Sequence, residues 1–333
     1  MDSVTQIALG ASVGELVLGR RIGNRALLLG AVVGSLPDLD VLVPFGGAVE
    51  DFTYHRSFSH SLIVLTLFAP LLAALLNRLP FGHGATFRQW WLMTWLALVT
   101  HPLLDALTVY GTQLFWPLTD YPVSGSIVFI IDPVYTLLLL AGITLALRRN
   151  VGAHQWNTAF LCAASAYLVW AAVTKHRVEH RVRQSLQNQS ISFDRLLLTP
   201  MPLTTLGWRF VAMNESGYLA GYYSLFDPPG HEIKSIQHPS NNQLLATLND
   251  HWPVQRLQYF THGFYSVDRV DNEIHITDLR MGLERAYIFA FTVADILPDG
   301  SVAPANRQAG TEMDFPGASR LFYRLFDPAV ELR

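Results

Sequence analysis

The sequence predicts an α-helical polytopic membrane domain of about five to six spans over residues 1–175. A polar basic linker or interfacial helix over 176–204 and a small β-rich soluble domain over 205–333 follow. Three observations carry this reading. Hydrophobic residues make up 50% of the 333-residue chain and mean hydropathy is +0.26, too apolar for an ordinary soluble enzyme. Charged residues, 15% of the total, are sparse before Arg148 and frequent after Lys175. Long apolar runs fill the first half, whereas apolar residues alternating with turn formers fill the last third.

Composition also excludes several classes. A net charge of −3 and a pI near 6.4 give no basic footprint, so no nucleic-acid partner is expected. The single cysteine, Cys162, rules out an internal disulfide and any thiolate metal site, so a metal must be held by His and carboxylate. No basic residue precedes Arg20, so the first apolar stretch lacks the start of a cleavable signal peptide and is expected to be retained.

Taken in order, residues 4–18 are apolar and rich in small side chains (Gly10, Ala11, Ser12, Gly14), a composition suited to close helix packing, with Glu15 as the exception. After the basic turn at 20–25, a second apolar helix over 26–36 is halted by Pro37, with Asp38 and Asp40 directly behind it. A loop at 45–51 leads to His55, Arg56, Ser57, Ser59 and His60, and residues 62–76 read as a transmembrane helix. The span over 90–109 opens with Trp90 and Trp91 at an expected interface and contains His101 and Asp105. Two further spans, 127–147 and 156–173, look like scaffold, with Asp132 as a helix-start cap before Pro133. His176 and His180, beside Arg177 and Arg181, suggest a basic helix facing lipid headgroups. Beyond it, 205–213 and 218–226 make a hairpin about the turn at 214–217. Residues 267–270 pair with 274–276, 286–293 is another strand, and the aromatic stretch 252–265 is expected in the β-domain core.

Ionisable groups at membrane depth cost several kcal/mol unless they are paired, hydrated or bound to metal. With the chain reversing at 20–25, 78–88 and 148–149 on one side and at 45–60 and 111–126 on the other, Asp38, Asp40, His55, His60, His101 and Asp105 all reach one face. His101 and Asp105, at i and i+4, share one side of a helix. His55 and His60 converge only if His55 lies in the loop and His60 starts the helix, since five residues turn a helix by about 140°. Such a His/Asp set suits Zn²⁺, Mn²⁺ or Fe²⁺, as one ion or two, and the chemistry of such a centre is hydrolysis. Arg56 and Ser59, between the histidines, are candidates for binding an anionic substrate group.

These residues, together with the opening Met1-Asp2-Ser3-Val4-Thr5-Gln6, the Thr108 and Gly111 that follow Asp105, and Trp116-Pro117, resemble the YdjM-type family of membrane-bound metal-dependent hydrolases, also described as LexA-binding and inner-membrane-associated. The resemblance covers roughly the first half of the chain. It implies a bacterial inner-membrane, multi-pass hydrolase whose metal and catalytic residues are Asp38, Asp40, His55, His60, His101 and Asp105. The pattern departs at Gln6, where many members carry a histidine.

The leading expectation is a metal-dependent hydrolase acting on a phosphoester or lipid-related substrate, with the bilayer and, through the C-terminal domain, a protein as partners. Two alternatives stay open: a divalent-cation transporter or channel, and a non-catalytic anchor presenting a protein-interaction domain. Positive charge in the loops at 20–25, 78–88 and 148–149 favours an extracytoplasmic metal site and C-terminal domain, against the contrary pull of Lys175, Arg177, Arg181 and Arg183.

Overall fold

The computed structural model describes residues 1–79, 84–148, 152–228, 230–310 and 314–332. Part of the expected basic turn at 78–88, and Arg149 of the turn at 148–149, lie outside the described residues. The chain divides into two compact units, one of Met1–Val43 with Arg56–Ala172, the other of Pro44–His55 with Val173–Arg333.

The first unit is helical. Helix α1 (Ser3–Ile22) begins at Asp2, whose carboxylate accepts the backbone N–H of Thr5 at 3.1 Å, and ends at Gly23, whose φ of 66° only glycine adopts without strain. It packs on α2 (Arg25–Ser35) through glycines on both helices. A Cβ on Gly30 would stand 2.8 Å from the Cα of Gly14, and one on Gly34 would stand 2.8 Å from the Cα of Gly10. Backbones in such close approach gain dispersion contact that no larger side chain permits.

Pro37 opens a short 3-10 turn, Pro37–Leu42, because it cannot continue the α-helical hydrogen bonding. Helix α3 (Ala48–Tyr54) belongs to the second unit. The first unit resumes with a 3-10 turn, Phe58–His60, and α4 (Leu62–Asn77), capped by Ser61. Helix α5 (Phe87–Asp105) starts from a reciprocal Thr86–Gln89 capping box. Asp132 caps α6 (Pro133–Leu147) by accepting the Tyr135 N–H at 3.0 Å, and its other oxygen accepts the Tyr167 hydroxyl at 2.8 Å. Helix α7 (Ala153–Asn188) contributes its residues up to Ala172 to this unit. Trp90, Met93, Leu98 and Leu139 centre the core, so Trp90 is buried rather than interfacial, while Trp91 is exposed. Glu15 is fully buried, with His154 Nδ1 3.8 Å away.

The count of five to six spans is not supported. Among the described residues one helix, His154–Asn188, is long and apolar enough to cross a membrane, or two if the pair Ala48–His60 and Leu62–Asn77, bent by 51°, is taken as one span. The apolar runs are real, but breaks cut them short. Helices α2, α4 and α6 hold 11, 16 and 15 residues, below the roughly 20 a crossing needs. Helices α1 and α5 are longer, but polar residues such as Gln6, Glu15, Arg20, Arg88, His101 and Asp105 dilute them.

In the second unit α7 continues unbroken past 175 to Asn188, so the helix expected from 176 is its continuation, and the first strand, β1 (Arg195–Pro200), starts before 205. β1 joins β2 (Gly207–Asn214), β3 (Gly217–Ser224) and β4 (Ser235–Pro239) in an antiparallel sheet of that order. Val178, Val182 and Leu186 of α7 pack with Leu198, Trp208 and Phe210 of this sheet.

Residues 252–265, expected as β-domain core, supply the buried Val254, Leu257, Phe260 and Phe264, and open as helix α8 (Trp252–Phe260). Pro253 suits its first turn, and the buried Pro253, Arg256, Leu257 and Phe260 follow a helical rather than an alternating period. β5 (Tyr265–Val270) and β6 (Glu273–Asp278) form a hairpin. The hairpin of β7 (Gly282–Leu283) and β8 (Ala286–Tyr287) takes up the start of the strand expected at 286–293. β9 (Ala290–Ile296) and β10 (Val302–Gln308) complete a second sheet ordered β10-β9-β6-β5, and α9 (Ala318–Phe326) follows. Phe52 of α3 packs on the rings of Phe260, Phe289 and Phe291, with centroids 4.6 to 5.1 Å apart.

Arg209 of β2, 1% exposed, is held by Glu284 through two N–H donors at 2.7 and 3.0 Å, and Glu284 also accepts the Tyr222 hydroxyl. Burial pushes the Glu284 carboxyl up, but Arg209 and Tyr222 hold it below its ordinary value of 4.5.

Two outcomes follow for stability. Gly30→Leu, which drives a side chain into the α1 backbone, is expected to abolish a cooperative melt of the purified protein, while Leu28→Ala on the exposed side of α2 leaves the melt nearly unchanged. Glu284→Ala strands the Arg209 charge and is expected to cost about 3–5 kcal/mol in denaturant titrations of the second unit's transition. In the wild type the pair's contribution is full above pH 4.5 and is lost as pH falls through the lower folded value; in the variant that pH dependence disappears.

Candidate metal centre

Three breaks in the helices of the first unit deliver the site. The turn after Pro37 carries Asp38 and Asp40, the turn before Ser61 carries His60, and the last turn of α5 carries His101 and Asp105. Of these, Asp38, His60, His101 and Asp105 each offer one ligand atom, and the four atoms lie within 4.8 Å of one another. The side chains of His60, His101 and Asp105 are at most 1% exposed and that of Asp38 is 25% exposed, so the group opens past Asp38.

The spacing fits an ion. His101 Nε2 is 3.2 Å from Asp38 Oδ1 and 3.3 Å from Asp105 Oδ2, and His60 Nε2 is 3.6 and 3.2 Å from the same two oxygens. Bonds of about 2.0–2.1 Å around a tetrahedral zinc set neighbouring ligands about 3.3–3.4 Å apart. Asp105 Oδ2 is buried and receives no hydrogen bond, as a ligand atom requires.

The far side of each imidazole is also fixed. His101 Nδ1 lies 2.6 Å from the carbonyl of Gly34, which can only accept, so Nδ1 bears a proton and Nε2 is the nitrogen turned to the carboxylates. The Ser59 hydroxyl donates to Asp40 Oδ2 at 2.6 Å and lies 2.9 Å from His60 Nδ1, which makes Nδ1–H the donor there and leaves Nε2 facing the group. Hydrogen bonds of this kind set the tautomer and raise ligand basicity in metal-bound histidines.

The remaining expected residues take other places. Asp40 is buried outside the four, its Oδ2 accepting the backbone N–H of Arg56 at 2.9 Å and the Ser59 hydroxyl, so it orients His60 through Ser59. His55 is not in the group: it ends α3, and the chain turns at Arg56 in the left-handed region with φ 66° before reaching His60. Ser59 has its hydroxyl committed to this orienting chain rather than turned toward a substrate. Arg56, 4% exposed, lies with Nη1 3.6 Å from Asp105 Oδ1 and its guanidinium over the Tyr110 ring, and neither its Nε nor its Nη1 is hydrogen-bonded.

Gln6 was not assigned a role from sequence. Its amide donates to Asp105 Oδ1 at 3.0 Å and to the His101 carbonyl at 3.2 Å, which fixes the carboxylate so that Oδ2 faces the histidines. Its departure from the family's histidine was the one available signal. The α-amino group of Met1 also contacts Asp105 Oδ1. At Asp38, burial pushes the carboxyl up, but the imidazoles of His101 and His60 hold it well below the usual carboxylate range, keeping it ionised and able to ligate.

The helical unit thus carries a buried His/Asp group that could hold a metal ion. The YdjM inner membrane protein family profile matches residues 1–178, more than half of the chain, and the protein belongs to that family. It is similar to the uncharacterized protein YfhP of Bacillus subtilis strain 168, with 22% identity over 228 residues, 66% of this chain and 68% of the relative. It is also similar to the inner membrane protein YbcI of Escherichia coli K12, with 34% identity over 120 residues, 35% of this chain and 68% of the relative. No solved structure matches.

His101→Ala and Asp105→Ala are each expected to remove the metal that copurifies with the full chain, read as metal per protein by elemental analysis. Ser59→Ala, which leaves all four ligands in place, is expected to weaken metal affinity roughly 10- to 100-fold in a chelator competition.

Proposed function

We propose that the protein is a membrane-bound, metal-dependent hydrolase that acts on a phosphoester, with a lipid-related substrate as the favoured class. The observation that supports this most is the combination, in one buried place, of four ligand atoms at metal spacing with an arginine whose Nε and Nη1 are not hydrogen-bonded. A divalent ion would be held by Asp38, His60, His101 and Asp105 and would supply activation of water and polarisation of a phosphoryl oxygen, and the nitrogen-and-oxygen donor set suits Zn²⁺, Mn²⁺ or Fe²⁺.

The chain's own residues divide the remaining work. Arg56 presents a guanidinium to the anionic group of the substrate and matches its oxygens as a planar donor. Asp38, the ligand at the accessible edge, is the side from which water and substrate enter. Asp40, Ser59, Gln6 and the Gly34 carbonyl hold the ligands in orientation and have no contact with substrate in this reading.

The test is a screen of the full chain in detergent against aryl phosphomonoesters, phosphodiesters and lipid phosphates, with Mn²⁺, Fe²⁺ or Zn²⁺ restored after chelation. Activity that needs the added ion, is lost in Asp105→Ala and falls about 100-fold in Arg56→Ala with metal content intact is the expected result. Metal-loaded protein that hydrolyses none of them but carries the ion into proteoliposomes would establish transport instead.

A further inference from the structure

The turns that deliver ligands to the metal centre also bring apolar side chains to the surface. In Pro37–Leu42, which carries Asp38 and Asp40, Leu39, Val41 and Leu42 are exposed, Val41 at 72% and Leu42 at 76%. In the segment after α5, Phe115 is exposed and Leu118 is 81% exposed. The Phe58–His60 turn ties the two stretches together. On one side Asp40 Oδ2 accepts the Arg56 N–H and the Ser59 hydroxyl. On the other the Ser61 hydroxyl donates to the Trp116 carbonyl, and the Leu62 N–H donates to the Leu114 carbonyl at 2.9 Å. Phe58, itself exposed, meets the Trp116 ring edge-on with centroids 6.4 Å apart. An apolar rim thus flanks the turn that holds His60, and Asp38, the ligand at the accessible edge, lies within it.

Such a rim is the reverse of what water selects. Surface turns are ordinarily built from Gly, Asn, Asp and Ser, and adjoining exposed apolar side chains mark a place where something other than water lies against the protein. Apart from Asp38, Asp40 and His60, residues 37–43, 57–62 and 113–118 contain no ionisable side chain.

Two observations say what covers the rim. The chain belongs to an inner membrane protein family. The apolar exterior also continues along α4, which starts two residues after His60 and carries Leu67, Leu71 and Leu75 at four-residue spacing, each 60 to 70% exposed. A folded partner meets an apolar patch inside a polar border, whereas a bilayer covers an apolar belt that has none.

We propose that this rim is seated in the lipid bilayer, so that the metal centre opens onto lipid and takes its substrate, a lipid with an anionic head, sideways from the membrane. The head goes to Arg56 and the ion, and the apolar body lies along Leu39, Leu42 and Leu118. The substrate clause rests on the hydrolase reading above; the seating of the rim does not.

The experiment places the full chain in lipid nanodiscs, which leave both membrane faces open to the buffer. In a Cys162→Ser background, a nitrobenzoxadiazole label is attached at Leu42→Cys, at Leu118→Cys or, as the reference in water, at Glu215→Cys in the turn between β2 and β3. All three positions are exposed, so the labelled proteins are expected to keep the wild-type melting temperature, which is checked first. Lipids brominated on the acyl chain are expected to quench the labels at 42 and 118 at least about twofold more than the label at 215, and iodide in the buffer to do the reverse. Labels at 42 and 118 that iodide reaches as freely as it reaches 215 would overturn the seating. So would labels that neither quencher reaches, the result if a second copy or another protein covers the rim.

The route is read separately, as the ratio of lipid-phosphate to aryl-phosphate turnover. The Leu42→Gln/Leu118→Gln double variant, with metal content unchanged, is expected to lower that ratio about tenfold. An unchanged ratio would overturn delivery from the membrane. If no ester is hydrolysed by the wild type, the hydrolase reading falls, and the quenching result still decides where the rim lies.

Discussion

Two carboxylates and two imidazoles share one small volume, and much of the first unit is arranged so that they can. An ionised carboxylate removed from water costs several kcal/mol unless it gains partners, and Asp105 is fully buried. Its partners come from every direction: Gln6 and the α-amino group of Met1 from the start of the chain, Arg56 from the turn before α4, and the imidazoles of His60 and His101. The glycine contact between α1 and α2 belongs to the same arrangement. Gly34 lacks a side chain because Gly10 lies against it, and its carbonyl fixes the proton on His101. One position thus serves helix packing and ligand orientation together.

Asp38, Asp40 and Asp105 bring three carboxylates to the neighbourhood of one guanidinium, that of Arg56. Burial pulls the His101 imidazole down, but Asp105 and Asp38 raise it to about 9, so its proton supplies part of the compensating charge, and a metal ion would take the place of that proton. Burial and ligand spacing therefore point the same way from separate observations.

Much of the local chemistry was legible in the sequence because it depends on short spacings. His101 and Asp105 one helical turn apart, Asp38 directly behind a proline stop, and His60 at the start of an apolar helix are all local patterns, and the structure brings these four residues together. Asp40 and His55 look equivalent to them on the page. Asp40 is instead taken up by the Arg56 N–H and the Ser59 hydroxyl, and His55 is set apart by the left-handed turn at Arg56 and the folding of residues 44–55 with the second unit, which have no local signature, since Arg56 is not a glycine. The span count went astray for a related reason: hydropathy registers an apolar run but not where a proline or a cap ends the helix within it.

Helix α3 carries a consequence for how the protein is made and divided. Its Phe52 is embedded among Phe260, Phe289 and Phe291, residues synthesised some two hundred positions later. The chain therefore passes between the two units at three peptide bonds, after Val43, His55 and Ala172. No single proteolytic cut or genetic truncation can yield two intact halves. During translation the α3 segment emerges early and must wait, with its phenylalanine uncovered, until the last strands have left the ribosome. Two of the three crossings lie within five residues of Asp40 and His60, so the polypeptide itself ties completion of the late-made unit to the stretch that carries the metal ligands.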